Sequence, residues 1–177
     1  MPRDLQVEQR SSRAKEEELL VVSNSSVIIA FARACRLDLL DRLFRKVVVP
    51  EAVWEEVTVE GKPGREKILK AGFIHVRKAG NRRLVAFLEE FVDRGEAEAI
   101  VLALELNADL LLVDDRDARS LAKKLGLQVM GTLGVLALAK YRGLIQEVKP
   151  IIDELVETGF WISRRILKEF LKELGEH

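Results

Sequence analysis

Leu19-Leu20-Val21-Val22-Ser23-Asn24-Ser25-Ser26 is an apolar run closed by small polar residues. A short, valine-rich stretch without polar alternation is what a strand buried on both faces requires. Ser25 or Ser26 is placed to cap the helix predicted through Val27, Ile28, Phe31 and Ala32. Two more runs of the same kind follow, Val47-Val48-Val49 and Leu110-Leu111-Leu112-Val113. Residues 73–76 form a candidate edge strand and residues 128–130 a last, short one. Helical patterns separate them, over 37–44, 63–71, 84–92, 95–106, 117–125, 132–141, 145–157 and 163–174. Pro50 pre-sets the first turn of the helix after the second strand, and Gly72 and Gly126 stop two others. Strands joined by helical crossovers give an α/β class fold with a central parallel sheet covered on both faces. In such sheets ligands bind beyond the carboxyl ends of the strands, where Asn24 and Asp114-Asp115 both fall.

The 177 residues, 48% of them hydrophobic, suit one compact domain over 18–177, with a polar N-terminal extension over 1–17 that is either an arm or a short helix. Charged residues make up 33%, above the usual quarter or so; the excess is Glu, Lys and Arg, which suits a heat-adapted protein. Net charge is zero, so the field of the whole molecule does not attract a polyanion. One segment departs from that balance. Between Gly61 and Arg83 stand Lys62, Arg65, Lys67, Lys70, Arg77, Lys78, Arg82 and Arg83, against the single acid Glu66. Cys35 is alone, which excludes an internal disulfide and a thiolate zinc cluster. No run reaches membrane-spanning length, and a reducing, cytoplasmic setting with no membrane partner is expected.

Three acidic clusters stand at the ends or starts of elements. Glu56 borders the apolar face of its helix, three residues after Val53, while Glu55 points elsewhere. Glu96 lies in line with Ala99, Ile100 and Ala103, and Glu98 is rotated away from it. Asp114 and Asp115 close a core strand, with Asp117 as the expected cap of the next helix. Each acid has a plainer reading, as a helix-face ion pair, a dipole partner or a cap. Brought together, carboxylates repel one another, and a divalent cation removes that cost. Oxygen-only ligands select Mg2+ or Mn2+ over zinc.

Five segments carry a resemblance to the PIN-domain family, in particular to the prokaryotic members related to VapC-type toxins. They are Val21-Val-Ser-Asn-Ser-Ser-Val-Ile-Ile-Ala, Val49-Pro-Glu-Ala-Val-Trp-Glu-Glu-Val, Gly95-Glu-Ala-Glu-Ala-Ile-Val-Leu-Ala-Leu-Glu, Leu110-Leu-Leu-Val-Asp-Asp-Arg and Gly131-Thr-Leu-Gly-Val-Leu. The resemblance implies a three-layer α/β/α sandwich and a Mg2+- or Mn2+-dependent ribonuclease site for single-stranded RNA. On it, Glu56 matches the second acid, Glu96 the third, and Asp114 or Asp115 the fourth. Asn24 falls where the family has a first Asp, so metal ligands are expected among Asn24, Glu56, Glu96, Asp114 and Asp115. Ser26 matches a supporting hydroxyl, and Thr132 is either a substrate contact or a helix cap. Arg82 and Arg83, in the basic segment, are substrate-binding candidates. An antitoxin protein and a homodimer or higher homo-oligomer are the partners implied.

An amide can ligate a cation but brings no charge, so Asn24 weakens the site or silences it. A catalytically inactive PIN-like module that binds nucleic acid or protein is the alternative. A response-regulator-like phospho-acceptor ranks last, because 128–132 offers no lysine at a strand end. Trp54 and Trp161 are expected as core or dimer-interface anchors.

Overall fold

The computed structural model describes residues 18–177; the N-terminal extension expected over 1–17 lies outside them. Five strands form one all-parallel sheet: β1 (Val21–Ser23), β2 (Val47–Pro50), β3 (Ile74–Arg77), β4 (Leu110–Leu112) and β5 (Val129–Met130), in the order β3-β2-β1-β4-β5. The candidate edge strand is indeed an edge. The helices are α1 (Ser25–Arg33), α2 (Leu37–Phe44), α3 (Glu51–Val57), α4 (Arg65–Lys70), α5 (Arg82–Leu88), α6 (Arg94–Glu105), α7 (Arg116–Lys124), α8 (Thr132–Tyr141), α9 (Lys149–Glu157) and α10 (Arg164–Glu173).

The period of two along each strand divides the core. Val21, Val47, Val49, Leu110 and Leu112 face one layer, where Phe31, Leu40, Phe44, Leu136 and Ile152 meet them. Val22, Val48, Leu111 and Val113 face the other, against Leu88, Ile100, Val101 and Ala122. Both faces are apolar, so the strands read as unbroken hydrophobic runs. The result is the expected three-layer α/β/α sandwich.

The chain leaves β1 for β2 and β3 on one side, then returns to β4 on the other. The point of reversal therefore lies between the carboxyl ends of β1 and β4. There the Asn24 N–H donates to the carbonyl of Leu112 (2.8 Å).

Several helix starts differ from expectation, each for a local reason. Asn24, not Ser25 or Ser26, holds the cap position of α1, although its side chain makes no cap hydrogen bond. Asn81 accepts from the Leu84 N–H, which starts α5 two residues early. Helix α9 begins only at Lys149, since Pro150 suits a first turn but not an interior. Asp115, not Asp117, caps α7, its Oδ1 accepting from the Ala118 N–H (2.9 Å). Trp54 packs against the core, whereas Trp161 is 81% exposed and is no core anchor.

Candidate functional site

Helices α3 and α6, which bring Glu56 and Glu96 to the reversal point, are joined by a buried carboxylate. Pro50 offers α3 no side-chain cap. Glu98 of α6 replaces one: its Oε2 accepts from the Ala52 N–H (3.1 Å), and its Oε1 accepts from Arg82 Nη1 (2.7 Å). An anion over free N–H groups at a helix start is favourable. Glu98 is 1% exposed, not rotated out to solvent. Replacing Glu98 with alanine leaves the Ala52 N–H and Arg82 without their acceptor. The expected cost is about 2–3 kcal/mol of stability, read as a fall in Tm.

Asp93 caps α6. Its Oδ1 accepts from the Glu96 N–H (2.7 Å), and Glu96 Oε2 accepts from the Asp93 N–H (3.1 Å), a reciprocal capping box. The box fixes Glu96 in a largely buried position facing further acids. Burial is the main force raising its carboxyl from 4.5 to about 7; the Asp93 N–H opposes it, and the charges of Asp93, Asp115 and Glu56 add to it.

The same groups surround Gly95. A Cβ built there would lie 3.5 Å from Asp93 Oδ1, 3.5 Å from Glu56 Oε2 and 3.6 Å from Asn24 Oδ1. Three elements thus direct oxygens at one small volume. Asn24 is 3% exposed, and its Oδ1 and the Ser26 Oγ are buried without a hydrogen-bond partner among the described residues. Buried oxygens in this condition have capacity to accept from a water or to face a cation. Asn24, Ser26, Glu56, Asp93 and Glu96 line an open cleft of about 380 Å3.

The model of the DUF3368 family, a PIN domain, matches residues 20–176. The chain belongs to the PIN-domain family. No curated protein matches it. PIN domains have a nuclease-like fold, bind nucleic acid and are generally dependent on a divalent metal. Among the described residues of this PIN domain, no helix is long and apolar enough to cross a membrane.

Whether a hard cation fits this PIN domain depends on the donors. Among the described residues, no three acidic, histidine or cysteine side chains already form a closed ligand set. The donor chemistry nevertheless fits. The oxygens around Gly95 include an orphaned amide oxygen, and the charged form of Glu96 is disfavoured by burial and then by its acidic neighbours, a cost that a cation would relieve. Glu56 and Glu96 could hold an ion there together with the oxygens of Asn24 and Asp93, and Asp115 adds its charge beside Glu96.

The aspartate doublet divides. Asp115 faces Glu96 closely enough for its charge to act on it, and only its Oδ1 is occupied by capping. Asp114 turns to β5 and α8, where its Oδ1 accepts from the Thr132 N–H and its Oδ2 from the Thr132 hydroxyl, both at 2.7 Å. Gly131 permits this approach, since a Cβ there would sit 2.7 Å from Asp114 Oδ1. Asp114 thus ties the ends of β4 and β5 together through Thr132. Thr132 is 0% exposed with its hydroxyl bonded to Asp114, and the cap position of α8 is held by Gly131, not by Thr132. Arg82 is likewise occupied by Glu98, while Arg83 is exposed.

The two aspartates predict opposite phenotypes. Asp114→Ala should cost about 2–3 kcal/mol of stability with Mn2+ affinity little changed, because two short bonds to a carboxylate are lost. Asp115→Asn keeps a capping side chain, so Tm should hold while Mn2+ affinity falls on the order of tenfold. Thermal melts and calorimetric Mn2+ titrations of the pair check both.

Sequence reasoning missed Asp93 and misjudged Glu98. Asp93 had a signal, an Asp three residues before Glu96 at the start of a helical run. Glu98 had only Arg94 four residues before it, whose Nε lies 3.7 Å from its Oε2; its hydrogen-bond partners come from other elements.

Proposed function

We propose that this PIN domain is an endonuclease for single-stranded RNA, dependent on Mg2+ or Mn2+ and weakened by the amide at Asn24. The observation that carries the reading is the convergence of Asn24, Glu56 and Asp93 oxygens around Gly95, beside a Glu96 that burial and like charges push up to about 7. When bound, a hard divalent ion supplies positive charge to a scissile phosphate and acidifies a water.

The chain's own groups do the rest. Glu56, exposed on the cleft, and Glu96, in its wall, provide negative charge for an ion, and the exposed Asp115 adds its charge beside Glu96. Without an ion, Glu96 holds a proton for part of the time near neutral pH. The Ser26 hydroxyl, unpartnered among the described residues and on the cleft wall, offers a donor to a phosphate oxygen. Asn24 contributes an oxygen without charge, which costs affinity for the cation and not the shape of the site.

The test is a calorimetric titration with Mn2+ together with a cleavage assay on an unstructured RNA oligomer. Weak but saturable Mn2+ binding and slow, Mn2+-dependent cleavage are expected. An absence of both would sink the nuclease reading. The amide at Asn24 favours a second reading, an inactive module that keeps a nucleic-acid or protein surface; RNA binding without cleavage would select it. The likeness to VapC-type toxins extends the proposal to an antitoxin partner and to a homodimer, on resemblance alone.

A further inference from the structure

The acidic cleft does not end at its own rim. A second groove of about 560 Å3 shares Arg33 and Thr158 with it as walls. This groove lies against the end of α1 and the start of α4, and Lys62, Arg65 and Lys67 line it with Glu66 as its one acid. Two glycines shape it. A Cβ on Gly64, whose φ is +84°, would lie 2.9 Å from the Cβ of Ala32, so the loop carrying Lys62 can lie on α1 only with glycine there. A Cβ on Gly159 would lie 3.4 Å from Arg33 Nη1, so bare backbone lies beside the guanidinium on the shared rim.

The bases in the groove are not equivalent. Arg65 Nε donates to the carbonyl of Thr58 (2.7 Å), and its Nη1 lies 3.5 Å from Glu66. Lys67 Nζ touches Cys35 Sγ. Arg33 and Lys62 make no ion pair among the described residues. Cations gathered in one groove without partners add nothing to folding and repel one another. They suit an anion brought from outside. The neighbouring cleft, with Glu56, Asp93 and Glu96, repels a phosphodiester, and a chain of zero net charge gives no compensating long-range attraction. Binding energy for a polyanion must therefore come from cations next to the acids.

We propose that Arg33 and Lys62 bind the backbone phosphates of single-stranded RNA in this groove, flanking the bond presented to the acidic cleft. The proposal rests on the nuclease reading for the direction of the strand, but its binding step does not. It also narrows the long basic run: Arg77, Lys78 and Arg82 do not line the groove.

The test is fluorescence anisotropy of a labelled single-stranded RNA oligomer over a NaCl series, in EDTA. Arg33→Gln/Lys62→Gln should bind on the order of tenfold more weakly at low salt. Its log–log salt dependence should be shallower by about 1.4, the loss of two single-strand phosphate contacts. Arg77→Gln/Lys78→Gln should change neither and should keep the wild-type Mn2+ affinity, while the first variant, which loses a positive charge from the wall of the acidic cleft, should bind Mn2+ no more weakly than the wild type. An unchanged slope in the first variant, an equal loss in the second, or no RNA binding by the wild type overturns the groove. So does binding of poly-glutamate in place of RNA, which would assign the groove to an acidic protein. RNA binding lost in the first variant while the wild type neither binds Mn2+ nor cleaves would sink the nuclease and leave the groove. Cleavage with an unchanged slope would do the reverse.

Discussion

Asn24→Asp should raise Mn2+ affinity on the order of tenfold to a hundredfold and bring RNA cleavage with it. The substitution is isosteric and adds one negative charge at an oxygen already aimed at the cleft. Near a protein surface, a charge pair a few ångströms apart is worth several kcal/mol before desolvation and repulsion are subtracted, so a net gain of about 1–3 kcal/mol is the reasonable scale. The metal-free variant should gain nothing in stability. A carboxylate at the start of α1 is favoured by the helix dipole, but it faces Glu56 and Asp93. The diagnostic is therefore a larger rise in Tm on adding Mn2+ than the wild type shows. Equal Mn2+ affinity in the two proteins would remove Asn24 from the site.

Glu96→Gln should act in the opposite sense on both properties. The folded protein holds the Glu96 proton more tightly than the unfolded chain, with a carboxyl at about 7 against 4.5. The sign follows. Stability from this group is complete below about 4.5, falls as pH rises towards 7, and stays lost above that. Metal-free wild type should thus be less stable at pH 8 than at pH 5 through this group. Glutamine removes the charge yet can still accept from the Asp93 N–H at the third helical position. At pH 8 the metal-free variant should gain on the order of 2–3 kcal/mol, roughly 5–10 °C in Tm. It should also lose the Mn2+-induced rise in Tm and any cleavage. A variant that melts below wild type at pH 8, or one that keeps its response to Mn2+, would contradict the role given to Glu96.

The fold was legible because β1, β2 and β4 are covered on both faces, which leaves continuous apolar runs that few other settings produce. The position of the site was legible from the same runs, since Asn24 and the aspartate doublet follow two of them directly. What the doublet does was not. Consecutive residues beyond a strand point to opposite sides, so one carboxylate reaches Glu96 and the other Thr132, and only coordinates tell which. Glu98 escaped for a different reason. Every residue of α6 from Gly95 to Ala103 is buried, because α3, α5 and the sheet enclose it. Judging one side of such a helix as the solvent side has no basis, and the amphipathic argument that works for α2 misleads here.

Strand β1 lies third of five in the sheet, between β2 and β4, and its last hydrogen bond is made by the backbone of Asn24 itself. The architecture at this position is specified by main-chain atoms, while the chemistry depends on a single side-chain terminus. On the nuclease reading proposed above, exchanging amide for carboxylate would change the charge of the site without rebuilding the scaffold. On that reading, a lineage with this geometry would surrender its reaction in one codon and still inherit an intact, folded platform.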